Sequence, residues 1–181
     1  IRDVMINEVL ADPPDGIAGD ANRDGTRDST ADEFVELINS TARDLDLSGY
    51  QIQTRAANAS NVTVRHRFAA GTLLPAGTAI VVFGGGALDT TNSSFGGAQI
   101  IRASSGGLSL NNSGGVITLQ DKNGAIESSM SYGTSAGIAG DANQSITRAP
   151  DVTGSFVLHQ AAPDSEARAF SPGIKVNGLP F

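Results

Sequence analysis

The 181-residue sequence has no cysteine and no tryptophan. The first absence removes disulfides, thiol catalysis and thiolate metal sites together. It does not fix a compartment, because many bacterial exported proteins do without disulfides. The second, with aromatics at only 5%, leaves few rings to stack on sugars or bases. No apolar run is long enough to span a membrane as a helix and no secretory leader is legible, so direct membrane insertion is not expected. The chain starts at Ile1 and reads as a piece of a longer protein or a mature form, which gives the missing leader little weight. Positive charge is scarce. Twelve Lys and Arg stand against 19 Asp and Glu, for a formal net charge of −7. Such a surface repels phosphate backbones, so no nucleic-acid partner is expected. Divalent cations or other proteins are its natural partners.

What the chain has is glycine, 22 of them, with abundant Ser, Thr, Asn and Val. No segment shows a sustained 3.6-residue apolar stripe with caps. Instead, short β-branched runs alternate with Gly, Asn, Asp or Pro turns. Strands are expected within Asp3–Asp12, Asp32–Asn39, Leu47–Arg55, Val62–Phe68, Thr78–Gly84, Ala98–Ala103, Gly115–Asp121, Ala125–Gly133, Gln144–Ala149 and Ser155–His159. In the first, Val4 and Ile6 alternate, and Val9 and Leu10 follow one step out of register. "DKNG" at Asp121–Gly124 ends in Asn-Gly, a strong hairpin signal. The spacing predicts one all-β domain, an antiparallel sandwich or barrel. The domain is expected over 1–173, with a tail or linker over 174–181.

Residues Pro13–Ala31 form a long polar loop, and loops of that length inside compact domains are usually functional or disordered. It carries Asp20-x-Asn22-x-Asp24-Gly25-Thr26-x-Asp28. Calcium takes six to eight oxygens. Side chains at loop positions 1, 3 and 5 converge on it, with glycine at 6 for the turn and a backbone carbonyl at 7. Asp20, Asn22, Asp24, Gly25 and Thr26 fill those places, and Asp28 falls at position 9. Position 12 is Ala31; the closing acid is Asp32 or Glu33, and the spacing does not choose. Arg23 and Arg27 alternate with the ligands and are expected to point outward. A solvated Asp/Asn/Gly-rich turn without an ion is the alternative.

The seven residues "GIAGDAN" at 16–22 return unchanged at 137–143. There the turn glycine is replaced by Ile146 and position 5 by Ser145, so that copy reads as a polar hairpin tip. A sharper possibility is that both copies lie at one end of the sandwich and Asp141 lends an oxygen. His66, in "RHR", reads as exposed strand alternation. A zinc pairing of His66 with His159 has little support. Glu8 and Glu36 flank the long loop and could form an acid/base pair. More often such residues line a strand or bond nearby amides.

Several segments in order resemble the lamin tail domain, in the versions found in bacterial exported proteins. They are "INEVLADPP" (Ile6–Pro14), "DEFVELIN" (Asp32–Asn39), "LDLSGYQI" (Leu45–Ile52), "GTLLPAGTAIVVF" (Gly71–Phe83), "LSLNNSGGVITLQDKNGAI" (Leu108–Ile126), "SYG" (Ser131–Gly133) and "NQSITRAPDVTGSFVLH" (Asn143–His159). The resemblance implies an immunoglobulin-like β-sandwich without a catalytic centre. It implies an interaction or anchoring module, of the kind attached to secreted or surface nucleases, phosphoesterases and other hydrolases. The "GDANRDGTRD…ADEF" insertion resembles a calcium-binding variant of the family's first loop. Coiled-coil heptads and a basic tail, features of the nuclear filament relatives, are missing, so filament assembly and chromatin binding do not carry over.

The expectation is therefore a monomeric, non-enzymatic module, extracellular or at the cell surface. It would bind Ca2+ through Asp20, Asn22, Asp24, Thr26, Asp28 and Asp32 or Glu33. Its partner would be a protein or a cell-surface component. A calcium-dependent carbohydrate-binding module is the alternative, though Tyr50 and Tyr132, both in strands, are the only tyrosines. A metal-dependent hydrolase is a third and weaker reading.

Overall fold

The computed structural model describes residues 2–181. Its strands are β1 (Val4–Leu10), β2 (Phe34–Asn39), β3 (Leu45–Asp46), β4 (Gln51–Ala56), β5 (Thr63–Arg67), β6 (Leu73–Leu74), β7 (Ala79–Phe83), β8 (Gln99–Arg102), β9 (Gly114–Gln120), β10 (Ile126–Gly133), β11 (Ile146–Ala149) and β12 (Ser155–Leu158). Each segment marked as a strand by its alternation overlaps one, with β4 and β9 running one residue beyond their expected bounds. The short pair β3 and β6 escaped notice because two residues carry no periodicity. The only helical pieces among the described residues are short 3-10 turns, and no helix is long and apolar enough to cross a membrane.

Two main sheets face each other. The larger runs β12-β11-β1-β2-β7-β8 and the smaller β10-β9-β4-β5, with β3-β6 as a separate ribbon. Val4, Ile6, Val9, Val35, Leu37, Ile80 and Val82 of the large sheet meet Ile52, Ile117, Leu119, Met130 and Tyr132 of the small one in a buried core. The pairing is not wholly antiparallel. β7 and β8 run parallel, because residues 84–98 cross over the sheet before the chain re-enters at its edge, and only a long connection permits that pairing.

The large sheet is buried on its outer face too, which is why every residue of β2 and β7 is buried. Leu10, Phe34, Val81, Phe83, Phe95 and Ile100 form a second core there, with Phe170 packed against it. Phe34 meets Phe83 at 5.6 Å and Phe170 at 6.5 Å between ring centres, both edge to face, a geometry the ring quadrupoles favour. The register break in β1 is a bulge between Ile6 and Glu8. It moves Val9 to the inner core and places Glu8 and Leu10 outward, and the apolar step in the sequence is its trace.

Residues 174–181 do not trail away as a linker. Ile174 bridges Pro180, Val176 is buried, and its amide donates to Asp151 Oδ2 at 3.2 Å. The base of the long loop is equally fixed. Gly84 N donates to Glu33 O at 2.8 Å, and a Cβ on Gly84 would stand 1.9 Å from Thr30 O. Gly84→Ala must therefore push the loop base off β7, at a cost of about 1–3 kcal/mol. Urea unfolding would show this as a lowered midpoint; an unchanged midpoint would mean the loop base gives way freely.

Candidate metal loop and carboxylate latch

The loop begins with a 3-10 turn at Gly16–Gly19 and then curls on its own side chains. Asp20 Oδ1 accepts from Asp24 N at 3.1 Å and Oδ2 from Gly25 N at 2.9 Å. Asn22 Oδ1 also accepts from Asp24 N, at 3.0 Å. Asp24 Oδ1 accepts from Thr26 N and Oδ2 from Ala87 N, both at 2.9 Å. Gly25 has φ +90°, a conformation that penalises any side chain, so the glycine at position 6 is needed where the pattern put it. A Cβ on Gly86 would fall 2.1 Å from Asn22 Nδ2 and 2.6 Å from Asp24 Oδ2. The backbone at Gly86 thus lies directly against those two side chains.

Asp32 and Glu33, which the spacing could not separate, face different ways. Asp32 is buried and belongs to the loop: Oδ1 accepts from Asn22 N at 3.0 Å and Oδ2 from Asp28 N at 2.7 Å. Burial raises its pKa, and the Asp20 carboxylate adds to the rise against the two amides. Glu33 turns to the opposite wall. Its Oε1 accepts from Leu110 N at 3.1 Å, Oε2 is buried without a hydrogen-bond partner, and burial pushes its pKa up to about 7. The Asp28 carboxylate caps the next turn, accepting from Thr30 N, Thr30 Oγ1 and Ala31 N, each at 2.8 Å. Those bonds, the Ala31 amide foremost, hold its pKa down to about 2. Thr26 is exposed on the loop.

The donor chemistry of Asp20, Asn22, Asp24 and Asp32 fits a hard divalent cation, since all four offer oxygen. The side chains nevertheless stand hydrogen-bonded to amides, and among the described residues no three His, Cys, Asp or Glu side chains gather into a metal-holding group. Arg23 is exposed as expected. Arg27 is not: its Nε and Nη2 donate to Pro14 O at 3.0 Å and Pro13 O at 2.6 Å. The guanidinium thus folds back on the carbonyls preceding the 3-10 turn and ties the loop to its root. The second "GIAGDAN" takes a different shape. Ile138 bridges Gly133, and Asn143 N donates to Asp12 Oδ2 at 3.2 Å. That contact sets the second copy beside the root of the first loop.

On the outer face of the large sheet, Glu8 and Glu36 sit directly opposite each other on β1 and β2, both 0% exposed. Like charges so placed repel. Ser145 Oγ donates to Glu8 Oε1 at 2.6 Å, and Ser171 N and Oγ donate to Oε1 and Oε2 at 2.8 Å. Glu36 accepts from Asn7 Nδ2 at 2.9 Å and Gly173 N at 2.7 Å. Burial raises the pKa of both carboxyls, Glu36 further because Glu8 adds to the effect; the His159 ring works against the rise at Glu8. The bulged Asn7 also bonds Asp151 Oδ1 at 3.1 Å and, through Oδ1, Val152 N at 2.8 Å. The pair is thus a latch for the C-terminal segment and does not open on a cleft. Ser145, Asp151, Ser171 and Gly173 were not singled out from sequence. The signal was there in two acids set into apolar strands, which require buried partners from somewhere.

His66 departs from the exposed alternation expected of it. His66 is buried, accepts from Ser104 N through Nδ1 at 3.2 Å and meets Phe68 edge-on at 4.4 Å. Burial lowers its pKa to about 4. The apolar stack on Phe68 draws it inward, where alternation alone suggested solvent. His159 is fully buried between Arg168 O at 2.8 Å and Ser171 Oγ at 2.9 Å. The two belong to different sheets' surroundings, so nothing joins them around a zinc.

No curated protein matches the chain significantly. The sequence profile of one family, Lamin Tail Domain, a non-catalytic module, matches residues 1–134, from β1 through the end of β10. That stretch is most of the chain and includes both faces of the inner core, so the protein belongs to the lamin tail domain family.

Proposed function

We propose that this lamin tail domain serves as an interaction or anchoring module of a secreted or cell-surface protein, with its first loop stabilised by calcium. The partner is a protein or a cell-surface component, and the module does no chemistry of its own. In support, the acids on β1 and β2 that could have formed an acid/base pair are sealed from solvent and engaged by amides and hydroxyls. A surface at net charge −7 argues against a nucleic-acid partner. The rival carbohydrate-binding reading gains nothing, since Tyr132 is buried and Tyr50 half-buried.

The observation that carries the calcium reading is the clamp of Asp20 on the amides of Asp24 and Gly25. It curls the chain in the order a D-x-N-x-D-G loop needs. Asp20, Asn22, Asp24 and Asp32 would hold the ion, with the Thr26 carbonyl following in the loop. These four side chains, like Asp28 and Glu33, also accept from backbone amides, so the ion would have to share or displace those bonds. The ion would supply positive charge among these carboxylates and lower the entropy of the loop.

At a hundredfold excess over its dissociation constant, calcium should add about 2.7 kcal/mol, a rise of roughly 5–10 °C in Tm. Thermal melts in calcium and in chelator measure this, with Asp24→Ala expected to abolish the difference. A Tm indifferent to chelator would sink the calcium reading and leave the family assignment standing.

A further inference from the structure

A second candidate site has the opposite charge to the loop. We propose that the cavity between the β4–β5 hairpin and the Ser109–Asn111 turn binds a carboxylate. Its volume is about 260 Å³, at the small end for a ligand pocket, so it suits a small organic acid or the carboxyl end of a peptide. Arg55 from β4 and Arg65 from β5 both line it. In a chain of net charge −7, two half-buried arginines bordering one cavity are unexpected.

Neither arginine takes part in the ion pairs formed among the described residues, which involve Arg27, Arg43, His159 and Arg168. Each is held instead by a neutral acceptor. Arg65 Nε donates to Thr54 Oγ1 at 2.9 Å, and Arg55 Nη1 donates to Ala59 O at 2.7 Å. These bonds fix the planes of the guanidiniums at no cost in charge. The two terminal nitrogens of Arg65 remain as a planar fork, the arrangement that matches two carboxylate oxygens. No acidic residue lines the cavity, but Glu33 bonds the Leu110 amide of its wall from behind, and Arg65 is among the charges acting on it. Asn61, Thr63 and Asn111 add polar groups to the wall, and Ile117 and Tyr132 close the rest.

Net charge selects among anions. A phosphate dianion meets stronger repulsion from the acidic chain than a monoanion does. The shared chemistry is therefore a carboxylate, whether on a free acid or at the end of a peptide.

The test is a titration of the full 181-residue protein followed by NMR, reading the Arg55 and Arg65 side-chain Nε–H signals and the Ser109–Asn111 amides. The probes are acetate, inorganic phosphate, and one short peptide with either a free or an amidated C-terminus. Saturable shifts confined to those signals are expected with acetate and with the free-ended peptide, and none with the amidated one. If acetate alone binds, the ligand is a free acid; if the free-ended peptide binds more tightly, it is a chain terminus. Arg65→Gln should weaken binding at least roughly tenfold, the loss of a charge-assisted pair of bonds. Arg55→Lys, which keeps the charge but not the fork, serves if that variant does not fold, and should weaken binding by less. Absence of saturable shifts with any carboxylate, tighter binding of phosphate, or unchanged affinity in folded Arg65→Gln would each overturn the proposal. None of these outcomes depends on whether the loop holds calcium.

Discussion

A chain ending at Leu158 is expected not to fold, although it contains every strand and runs well past the stretch matched by the family profile. The reason lies on the outer face of the large sheet. Residues from His159 onward place Phe170 on Phe34 and bring the Ser171 and Gly173 amides to Glu8 and Glu36. They also supply Ala169 O, which receives Ser145 N at 2.8 Å. Removing them uncovers Phe34, and with it part of the outer core to which Leu10 and Phe83 belong, in the middle of a sheet. At about 1.5–3 kcal/mol for each large apolar side chain returned to water, the loss approaches the whole 5–15 kcal/mol by which a domain is stable. A chain ending at Gly173 tests the alternative, because it keeps the latch bonds and forfeits the Ile174–Pro180 bridge and the buried Val176 with its bonds to Asp151 and Arg168. That chain should fold and lose about 1–3 kcal/mol. Amide dispersion in NMR spectra and denaturant midpoints separate the two. Cooperative unfolding of the 1–158 chain would show that the latch merely decorates the sheet.

That contrast marks what the sequence could and could not reveal. Period-2 alternation located the long strands because each has an inner face that must be apolar. It showed Val9 and Leu10 one step out of register, which the structure explains as the bulge in β1. It missed the tail because residues 162–181 carry no period at all; they cover the sheet through turns, a ring and backbone amides. The sandwich was expected to be wholly antiparallel because hairpin signals are local, whereas the parallel β7–β8 pair depends on where a long crossover lands. In the loop, residue spacing was enough to single out the curl at Asp20–Gly25, since that geometry is set within a few bonds. It could not place Asp32 and Glu33, adjacent acids whose directions are decided by the entry into β2 and by the distant Leu110 amide. The arginine cavity was invisible because Arg55 and Arg65 come together only when β4 pairs with β5.

The second large effect is a fall in stability as pH rises through the latch. Glu8 and Glu36 both have folded-state pKa values above the usual 4.5. Well below that value both carboxyls are protonated folded and unfolded, and the full contribution of the proton-bearing latch is present. Above it the unfolded chain releases its protons while the folded chain retains them, so stability falls with rising pH until the folded groups titrate. The two act as one coupled pair, and each unit of elevation is about 1.4 kcal/mol. Glu33, raised to about 7, adds a slope of the same sign, so the comparison must be made between variants. Glu36→Gln removes the repelling charge but sets an amide where a carboxyl accepted from Asn7 Nδ2 and Gly173 N. It should be less stable than the parent near pH 5, by about 1–2 kcal/mol for the mismatched bond, and equal to it or more stable near pH 8. Urea unfolding of both proteins in chelator, stepped across that range, would show the two stability curves converging or crossing. Curves that stay a constant distance apart would mean that the buried carboxyls hold no extra proton in the folded state, and that the amides of residues 171 and 173 alone offset the repulsion across the β1–β2 pair.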